Sequence, residues 1–154
     1  FHDIRQRLQR AGQVFRTQSD TEVILNGFSA QAQQCLSQLN GIFAFAIWDA
    51  VRATLFLARD HLGIKPLYYA KTDDFLVFAS EVKAIFASGL VAKRVNEKAM
   101  FDYLCRQAPP YLDTMFEGVH ELEPGTWMEV AASGEIKSSK YFYPGYFNLF
   151  WHSL

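Results

Sequence analysis

The most informative part of this sequence is the segment Arg59-Asp60-His61-Leu62-Gly63-Ile64-Lys65-Pro66-Leu67-Tyr68-Tyr69. Its polar beginning predicts a turn, in which Gly63 supplies a backbone conformation that other residues resist. Its apolar end predicts a strand over residues 65–70. Pro66 cannot donate to a β-ladder, so it belongs at the start or at a bulge of that strand.

Further strands are predicted on both sides of this segment. From Gly41 the sequence alternates like a strand, and both of its faces are apolar, so we expect a strand that is covered on both sides. One face carries Phe43, Phe45 and Ile47, and the other carries Ala44, Ala46 and Trp48. Residues 54–58 and 75–79 read as two more strands. With turns at 49–52, 59–63 and 71–74, they predict an antiparallel meander.

Helices are predicted before and after the strands. Residues 4–11 repeat at helical spacing and end at Gly12, where a left-handed cap is expected. Ser19 and Glu22 form a capping-box pattern, which predicts reciprocal hydrogen bonds and a helix to about Phe28. A second helical piece passes through residues 35–36, and Ser80 is expected to cap a helix that runs through Phe86 and closes near residue 89.

The last third of the sequence predicts one more helix and two more strands. Asn96 is expected to cap a helix whose apolar face carries Met100, Phe101 and Leu104. After Pro109-Pro110, strands are predicted over 126–131 and 135–141 and joined by a turn at Ser133-Gly134. Pro124-Gly125 is interpreted as another hairpin turn. Helices combined with antiparallel strands indicate the α+β class.

Composition excludes several classes of function. The 154 residues fit one domain, half of them are hydrophobic, and 15 basic against 16 acidic residues leave a net charge of −1. We therefore expect neither a nucleic-acid nor a membrane partner. The longest apolar run, residues 41–48, is too short to cross a bilayer, and the polar N-terminal region does not resemble a secretory signal. Two cysteines predict no disulfide framework, so a reducing cytoplasm is expected.

The residues that carry chemistry are few. Cys35 and Cys105 lie in helical segments with no neighbouring base, so neither is expected to be a nucleophile. The four histidines lack the spacing of metal ligands, and no metal site is predicted. Arg59 and Asp60 are expected to be structural, with Arg59 bonded to nearby carbonyls or to Glu81. Glu81 itself is expected in the first turn of its helix, where it complements the dipole.

Several blocks of this sequence resemble the glutaminase domain of glutamine-dependent asparagine synthetase. They are Ser19-Asp20-Thr21-Glu22-Val23-Ile24-Leu25, Leu39-Asn40-Gly41-Ile42-Phe43-Ala44-Phe45-Ala46-Ile47-Trp48-Asp49, the segment 59–69, and Phe78-Ala79-Ser80-Glu81-Val82-Lys83-Ala84. The blocks occur in the order of the family. The resemblance implies an αββα sandwich of the N-terminal-nucleophile hydrolase type, incomplete at its N-terminus. It also implies a partial glutaminase domain over residues 1–142, followed by an aromatic tail or truncated linker over 143–154.

Asp20 is the candidate substrate-binding residue. The local sequence is explained by a structural role for Asp20, because a carboxylate in the first turn of a capped helix complements the helix dipole. The resemblance implies more, since the aspartate of this Ser-Asp-x-Glu motif holds the α-ammonium of glutamine in the family. Both roles are compatible, because Ser19 can cap the helix while Asp20 faces a pocket.

The resemblance also implies parts that these residues do not contain. The family nucleophile is an N-terminal cysteine that attacks the glutamine amide, whereas this sequence begins at Phe1. No catalytic residue is therefore assigned here, and the chain alone is expected to be inactive. Ammonia would pass near Ile42, which stands where the family often has methionine, to a C-terminal synthetase domain that uses ATP and Mg²⁺ to amidate aspartate.

We expect the sequence to be a fragment of such an enzyme. The full-length protein is expected to be cytoplasmic, with a homodimer as one candidate assembly. Two alternatives stay open. The domain could be a non-catalytic scaffold of the β-lactam synthetase type, or an amidotransferase with another acceptor. The sequence does not identify the acceptor. Loss of the leading strands of the family is expected to leave an uncovered sheet face and unpaired edges, carrying Phe43, Phe45 and Trp48.

Overall fold

Seven short strands and five helical segments are present in the computed structural model, which describes residues 1–107 and 113–143. The helices are α1 (His2–Arg10), α2 (Asp20–Gln31), a 3₁₀ helix (Ala32–Gln38), α3 (Val82–Ala87) and α4 (Glu97–Arg106). The strands are β1 (Ala44–Asp49), β2 (Thr54–Arg59), β3 (Tyr68–Lys71), β4 (Leu76–Ala79), β5 (Val119–Glu121), β6 (Thr126–Ala131) and β7 (Ile136–Lys140).

The strands form two antiparallel sheets. The first has the order β1-β2-β6-β7, and the second has the order β4-β3-β5. Ala44 pairs with Arg59 at one end of the β1–β2 ladder, and Tyr68 pairs with Glu121 in the second sheet. Between β2 and β3 the chain leaves the first sheet and enters the second through residues 60–67.

Alternation along the strands builds the core between the two sheets. Leu57 on β2 and Met128 on β6 point to one side of the first sheet, and Leu67 and Leu122 face them from segments that flank the second sheet. All four side chains are buried. Burial of several large aliphatic side chains in one cluster stabilises the sandwich by about 1.5–3 kcal/mol per side chain.

The opposite faces of both sheets are covered by helices. Phe56 and Ala58 of β2 pack against Cys35 and Leu36 of the 3₁₀ helix and against Phe28 of α2. On the second sheet, Ala70, Val119 and Ile85 form a third buried cluster under α3. The layers are thus helix, sheet, sheet and helix, which confirms the predicted α+β class and αββα order.

The predicted meander is wrong at one point. β2 and β3 are consecutive along the chain, but they lie in different sheets, so the segment 59–63 is a crossing between layers and not a hairpin. Pro124-Gly125 makes the same kind of crossing from β5 to β6, which corrects its interpretation as a hairpin turn. Strand β5 was not predicted, because three residues are too few for a periodic pattern. The turn at Ser133-Gly134 does join two paired strands, as predicted.

The helix predictions hold for position but not for every cap. Asn96 Oδ1 accepts a hydrogen bond from the Ala99 N–H at 3.1 Å, which confirms the predicted cap of α4. Ser80 was predicted to cap α3, but Glu81 occupies the N-cap position and makes no side-chain capping bond. The expected first-turn role of Glu81 is therefore wrong as well, and its carboxylate pairs with Lys83 Nζ at 2.6 Å.

Two of the predictions concern residues that the structure does not describe. Pro109-Pro110 and residues 144–154 of the predicted tail lie outside the described residues. None of the helices over residues 1–107 and 113–143 is long and apolar enough to span a membrane. On α4, Met100, Phe101 and Leu104 do share a surface, and all three are exposed.

Strand β1 is covered along one face and only in part on the other. Phe45 and Ile47 pack toward α2, as predicted. On the other face Ala44 packs against the core between the sheets, whereas Ala46 and Trp48 are exposed, with Trp48 at 60 %, so the predicted double coverage holds only at the start of the strand. Among the described residues β1 pairs with β2 alone and forms an edge. The opposite edge strand, β7, carries Lys137 and Lys140, whereas residues 42–48 carry no charge that would discourage pairing with another chain.

We predict that this edge makes the chain self-associate. Trp48→Lys should lower the weight-average molecular mass that analytical ultracentrifugation measures at high protein concentration, because a lysine on an edge strand must be desolvated when strands pair. Val51→Lys is the matched control, since Val51 is 97 % exposed but lies in the turn after β1. A wild-type chain that stays monomeric over the whole concentration range would contradict this prediction.

Candidate functional site

A cavity of about 490 Å³ runs along the free edge of β1. α2 forms one wall with Asp20, Thr21 and Ile24. Residues 42–47 form the base, and the opposite wall is built from Lys65, Pro66, Ser80 and Glu81. The size falls in the range of small-molecule sites, and apolar walls with a few charged groups are typical of such sites.

Asp20 is the first residue of α2 and its side chain is exposed. Its Oδ1 accepts a hydrogen bond from the Thr21 N–H at 2.8 Å, and Ser19 Oγ accepts from the same N–H at 3.1 Å. The capping role of Ser19 is thus present, although the predicted partner was the N–H of Glu22. A carboxylate at a helix N-terminus complements the helix dipole, and Asp20 lies at the rim of the cavity.

Glu22 fixes the segment that leads into α2. Its carboxylate accepts hydrogen bonds from the N–H groups of Arg16 and Thr17, both at 2.7 Å, and from the Thr17 hydroxyl. The predicted return bond to the Ser19 N–H is absent, because Thr17 Oγ1 accepts from that N–H at 3.2 Å. The bond from the Arg16 N–H is the main cause that lowers the pKa of Glu22.

Arg59 lies at the end of β2 and is 5 % exposed. It donates to three backbone carbonyls, those of Lys65 at 2.8 Å, Gly63 at 2.7 Å and Leu122 at 2.6 Å. Its Nη2 also lies 2.7 Å from Glu121 Oε1. The predicted structural role is confirmed for the carbonyls, but the carboxylate partner is Glu121 and not Glu81.

Asp60 is 1 % exposed and accepts from four backbone N–H groups. Oδ1 accepts from Leu62 and Ile64 at 3.1 and 3.0 Å, and Oδ2 accepts from Lys65 and Phe43 at 2.9 and 3.3 Å. Burial alone would raise the pKa of this carboxyl, but the four donors together outweigh burial and lower it. The prediction of a turn aspartate is confirmed.

Gly63 is required by both its conformation and its surroundings. Its φ of +67° lies in the left-handed region, as predicted. A Cβ at this position would lie 2.7 Å from Pro124 Cγ and 2.9 Å from Arg59 Cζ. Only glycine therefore lets the loop close over the guanidinium.

Arg59 and Asp60 fix the backbone of two residues that line the cavity. Lys65 is fixed by its N–H to Asp60 and by its carbonyl to Arg59. Phe43 is fixed by its N–H to the Asp60 carboxylate and by its carbonyl, which accepts from the Asp60 N–H at 2.8 Å. Since Phe43 and Lys65 both line the cavity beside Asp20, its shape depends on the side chains of residues 59 and 60.

The cysteines do not contribute to the cavity. Cys35 is buried under the first sheet, and burial raises its pKa to about 11, so the thiol stays protonated at neutral pH. Cys105 is exposed on α4.

His61 packs edge-on against Phe142, with the ring centroids 4.5 Å apart. Within residues 1–107 and 113–143 no cluster of three or more potential ligands could hold a metal ion.

Sequence reasoning missed two residues that position the site. Arg5 on α1 is buried, donates to the carbonyl of Thr17 and stacks on Phe15, with its Cζ 4.4 Å from the ring centroid. It therefore helps to fix the segment before Asp20. Glu121 was missed because its partner Arg59 is 62 residues away in the sequence. The helical period of α1 could have indicated Arg5, since Arg5 lies one position after Ile4 on the apolar side.

Comparison with known proteins identifies relatives over most of the chain. The family described as glutamine amidotransferase domain matches residues 1–142. Glutamine-hydrolyzing asparagine synthetase 3 of Bacillus subtilis is 37 % identical over 86 % of this chain, and asparagine synthetase 1 of the same organism is 36 % identical over 91 %. Both matches cover 22 % of the relative, so the chain spans about a fifth of the length of these proteins.

Solved structures agree with the sequence comparison. The glutamine phosphoribosylpyrophosphate amidotransferase of B. subtilis, solved with ADP and GMP, superposes with a TM-score of 0.63 and 26 % identity. The superposition covers 90 % of this chain and 26 % of that one. This likeness confirms the predicted sandwich of the N-terminal-nucleophile hydrolase type.

We predict that the contribution of the Asp60 carboxylate to stability is complete above about pH 4 and decreases progressively as the pH falls below that value. Its pKa is lowered on folding, so its contribution is complete above the unfolded pKa of about 3.9 and is lost as the pH falls through the folded value. Asp60→Asn should reduce the free energy of unfolding by about 1–3 kcal/mol at pH 7. The difference from wild type should shrink below pH 4.

Urea unfolding monitored by Trp fluorescence between pH 2.5 and pH 7 measures this difference. Asp74→Asn is the control, because Asp74 is exposed in a turn. If Asp60→Asn and wild type differed by the same amount at every pH, the four hydrogen bonds would not depend on the charge.

Proposed function

The chain belongs to the glutamine amidotransferase domain family, and we propose that it is the glutaminase part of a glutamine-dependent asparagine synthetase. In this proposal the domain hydrolyses the side-chain amide of glutamine to glutamate and ammonia. The ammonia then amidates aspartate in an ATP-dependent region of the longer protein. The observation that carries the proposal is the cavity beside Asp20, in a chain whose relatives are named glutamine-hydrolyzing asparagine synthetases.

Asp20 is proposed to bind the α-ammonium of glutamine. The carboxylate stands at the rim of the cavity, where it can reach a ligand without leaving the helix N-terminus. A charge-assisted hydrogen bond to the ammonium would fix one end of glutamine and direct its side-chain amide along the base formed by residues 42–47. Apolar groups there, such as Phe45, would exclude water from the rest of the ligand.

The nucleophile is proposed to be a cysteine outside these 154 residues. Cys35 is unsuitable because its pKa of about 11 leaves almost no thiolate at neutral pH and because it is buried. Cys105 lies on α4 and does not line the cavity. The residues of this chain therefore supply substrate binding and the scaffold, and they supply no nucleophile.

ATP and Mg²⁺ are assigned to the rest of the longer protein. The described residues hold no group of three or more potential metal ligands. Ammonia is proposed to leave the cavity past Ile42, because Ile42 lines both the Asp20 cavity and a neighbouring hollow. We also propose that the longer protein works in the cytoplasm.

A second candidate is an amidotransferase with another acceptor. It is favoured by the structural likeness to the phosphoribosylpyrophosphate amidotransferase, which has a comparable fold at 26 % identity. A non-catalytic scaffold is the third possibility, and the first residue of the native protein distinguishes it, since a cysteine after the initiator methionine supports hydrolysis. Assay of the longer protein with glutamine, ATP and a panel of carboxylate acceptors decides between the first two.

Asp20→Asn in the longer protein is expected to lower the efficiency of the glutamine-dependent reaction by roughly ten- to a hundred-fold. The loss corresponds to one charge-assisted contact of about 1.5–3 kcal/mol. The helix start should be kept, because the asparagine oxygen and Ser19 Oγ can both accept from the Thr21 N–H. The ammonia-dependent reaction should hardly change, since free ammonia bypasses the cavity.

Asp3→Asn is the matched control, because Asp3 is also a carboxylate in the first turn of a helix and does not line the cavity. It should leave both reactions unchanged. Equal losses in the glutamine- and ammonia-dependent reactions of Asp20→Asn would make Asp20 structural, and an unaffected glutamine reaction would remove it from the site.

The isolated 154-residue chain is expected not to release glutamate from glutamine. The reason is that neither of its cysteines combines a reactive thiolate with access to the cavity. Incubation of purified chain with glutamine, followed by enzymatic detection of glutamate, provides the measurement. Turnover that disappears in Cys35→Ser or Cys105→Ser would refute the assignment of the nucleophile to another part of the protein.

A further inference from the structure

Arg5 is a buried cation on α1 with one unused donor group. It is 8 % exposed, and its Nη2 donates to the carbonyl of Thr17. Among the residues that the structure describes, its Nη1 is the one buried side-chain nitrogen or oxygen with no hydrogen-bond partner. Native proteins rarely leave such a group unsatisfied, because a buried donor without an acceptor has lost its water and gained nothing in exchange. Nη1 therefore needs an acceptor that these residues do not supply.

Arg5 acts on Asp20 through Thr17. Besides accepting from Arg5, Thr17 donates its N–H to Glu22 Oε2 at 2.7 Å and its hydroxyl to the same oxygen at 2.6 Å. The Thr17 hydroxyl oxygen also accepts from the Ser19 N–H at 3.2 Å, and Ser19 is the N-cap that precedes Asp20. The position of the Asp20 carboxylate therefore depends on Arg5 through two bonded residues.

Arg5 and Glu22 hold this segment with opposite charges. The pKa of Glu22 is lowered, first by the bond from the Arg16 N–H, and the positive charge of Arg5 is a smaller cause in the same direction. The guanidinium also stacks on the ring of Phe15, with its Cζ 4.4 Å from the ring centroid. Lysine could keep the charge, but it has neither the planar group nor a second nitrogen that could donate. These contacts together require an arginine.

The side chain of Arg5 reaches toward the end at which the chain enters α1. A long side chain on a helix covers the turn on the N-terminal side of its own Cα. For Arg5 this turn begins at Phe1, whose carbonyl accepts from the Arg5 N–H at 3.0 Å. Phe1 and Asp20 both line one hollow of about 180 Å³. Polypeptide that precedes Phe1 in a longer protein therefore arrives close to both Arg5 and Asp20.

A buried water is a weaker explanation for the acceptor of Nη1. Such a water usually bonds to about two to four polar groups of the protein. Within residues 1–107 and 113–143, no second buried side-chain polar atom lacks a partner and could share the water with Arg5. A carbonyl or carboxylate oxygen of the incoming polypeptide needs only the one donor.

We propose that Arg5 is a positioning residue of the glutamine site, which binds the Asp20 segment with Nη2 and an oxygen of the polypeptide before Phe1 with Nη1. The assignment rests on the proposed function in one respect, since that function places the nucleophile outside these 154 residues. Arg5 touches no substrate. It fixes the incoming polypeptide relative to the carboxylate that is proposed to bind the ammonium of glutamine.

The kinetic test uses the longer protein expressed from its own gene, with Arg5→Lys. We expect the KM for glutamine to rise by at least about fivefold, because one charge-assisted bond is lost and Asp20 is no longer held in place. The kcat of the ammonia-dependent reaction should not change, since free ammonia does not use Asp20. Arg7→Lys is the matched control, because Arg7 is exposed on the same helix and should alter neither quantity.

Hydrogen exchange and a crystal structure of the longer protein test the second partner of Arg5. In Arg5→Lys the backbone N–H groups of residues 15–19 and of the residues just before Phe1 should exchange at least about tenfold faster, because both segments lose a shared anchor. Arg7→Lys should leave both segments protected. The wild-type crystal structure should show an oxygen of the residues before Phe1 within about 3.2 Å of Arg5 Nη1.

These readouts separate the role of Arg5 from the proposed function, because exchange and crystal structure are measured without glutamine. A wild-type protein that has the bond to Nη1 but releases no glutamate refutes the proposed function alone. The role of Arg5 is overturned if a water or a residue after 154 is the partner of Nη1, or if the gene encodes no polypeptide before Phe1. It is also overturned if Arg5→Lys slows the glutamine and ammonia reactions equally, or changes neither KM nor exchange. The wild-type crystal structure decides even where Arg5→Lys does not fold.

Discussion

The carboxylate of Asp60 replaces a β-ladder at the point where the chain passes from one sheet to the other. Backbone groups buried away from water need partners, and a crossing between two sheets cannot supply them from neighbouring strands. Four N–H groups bond to this single carboxylate, while Arg59 donates to carbonyls of the same loop and to that of Leu122. One acidic and one basic side chain therefore close the sandwich at this end.

The Asp20 cavity depends on this arrangement although neither Arg59 nor Asp60 is expected to touch a ligand. Phe43 and Lys65 lie on different parts of its wall, and both are bonded to Asp60. The α2 wall is fixed separately, by Glu22 through the backbone of residues 16 and 17. Charged side chains that bind backbone groups, together with the apolar packing of α2 on the first sheet, thus set the distance between Asp20 and the opposite wall.

Local features of this fold could be predicted from the sequence, and pairings between distant segments could not. The Asn96 cap, the strand over 126–131 and the turn at Ser133-Gly134 each depend on a few adjacent residues. The change of sheet after Arg59 depends on its bonds to Leu122 and Glu121, more than 60 positions away. The predicted reciprocal hydrogen bonds of Ser19 and Glu22 are absent for a related reason. The chain before α2 folds back, and its backbone N–H groups donate to the Glu22 carboxylate instead.

The site residue Asp20 could be nominated from a motif, but its surroundings could not, because they combine four separated segments of the chain. One of those segments, the loop after Asp60, has two surfaces. Lys65 and Pro66 line the Asp20 cavity, while Leu62 and Ile64 face the neighbouring hollow that Ile42 also lines. Five of its backbone groups bond to the side chains of Arg59 and Asp60, so the same two side chains hold both surfaces of the loop. A change at Leu62 or Ile64 would therefore reach the wall of the Asp20 cavity through the loop itself, with no chain of intermediate contacts between them.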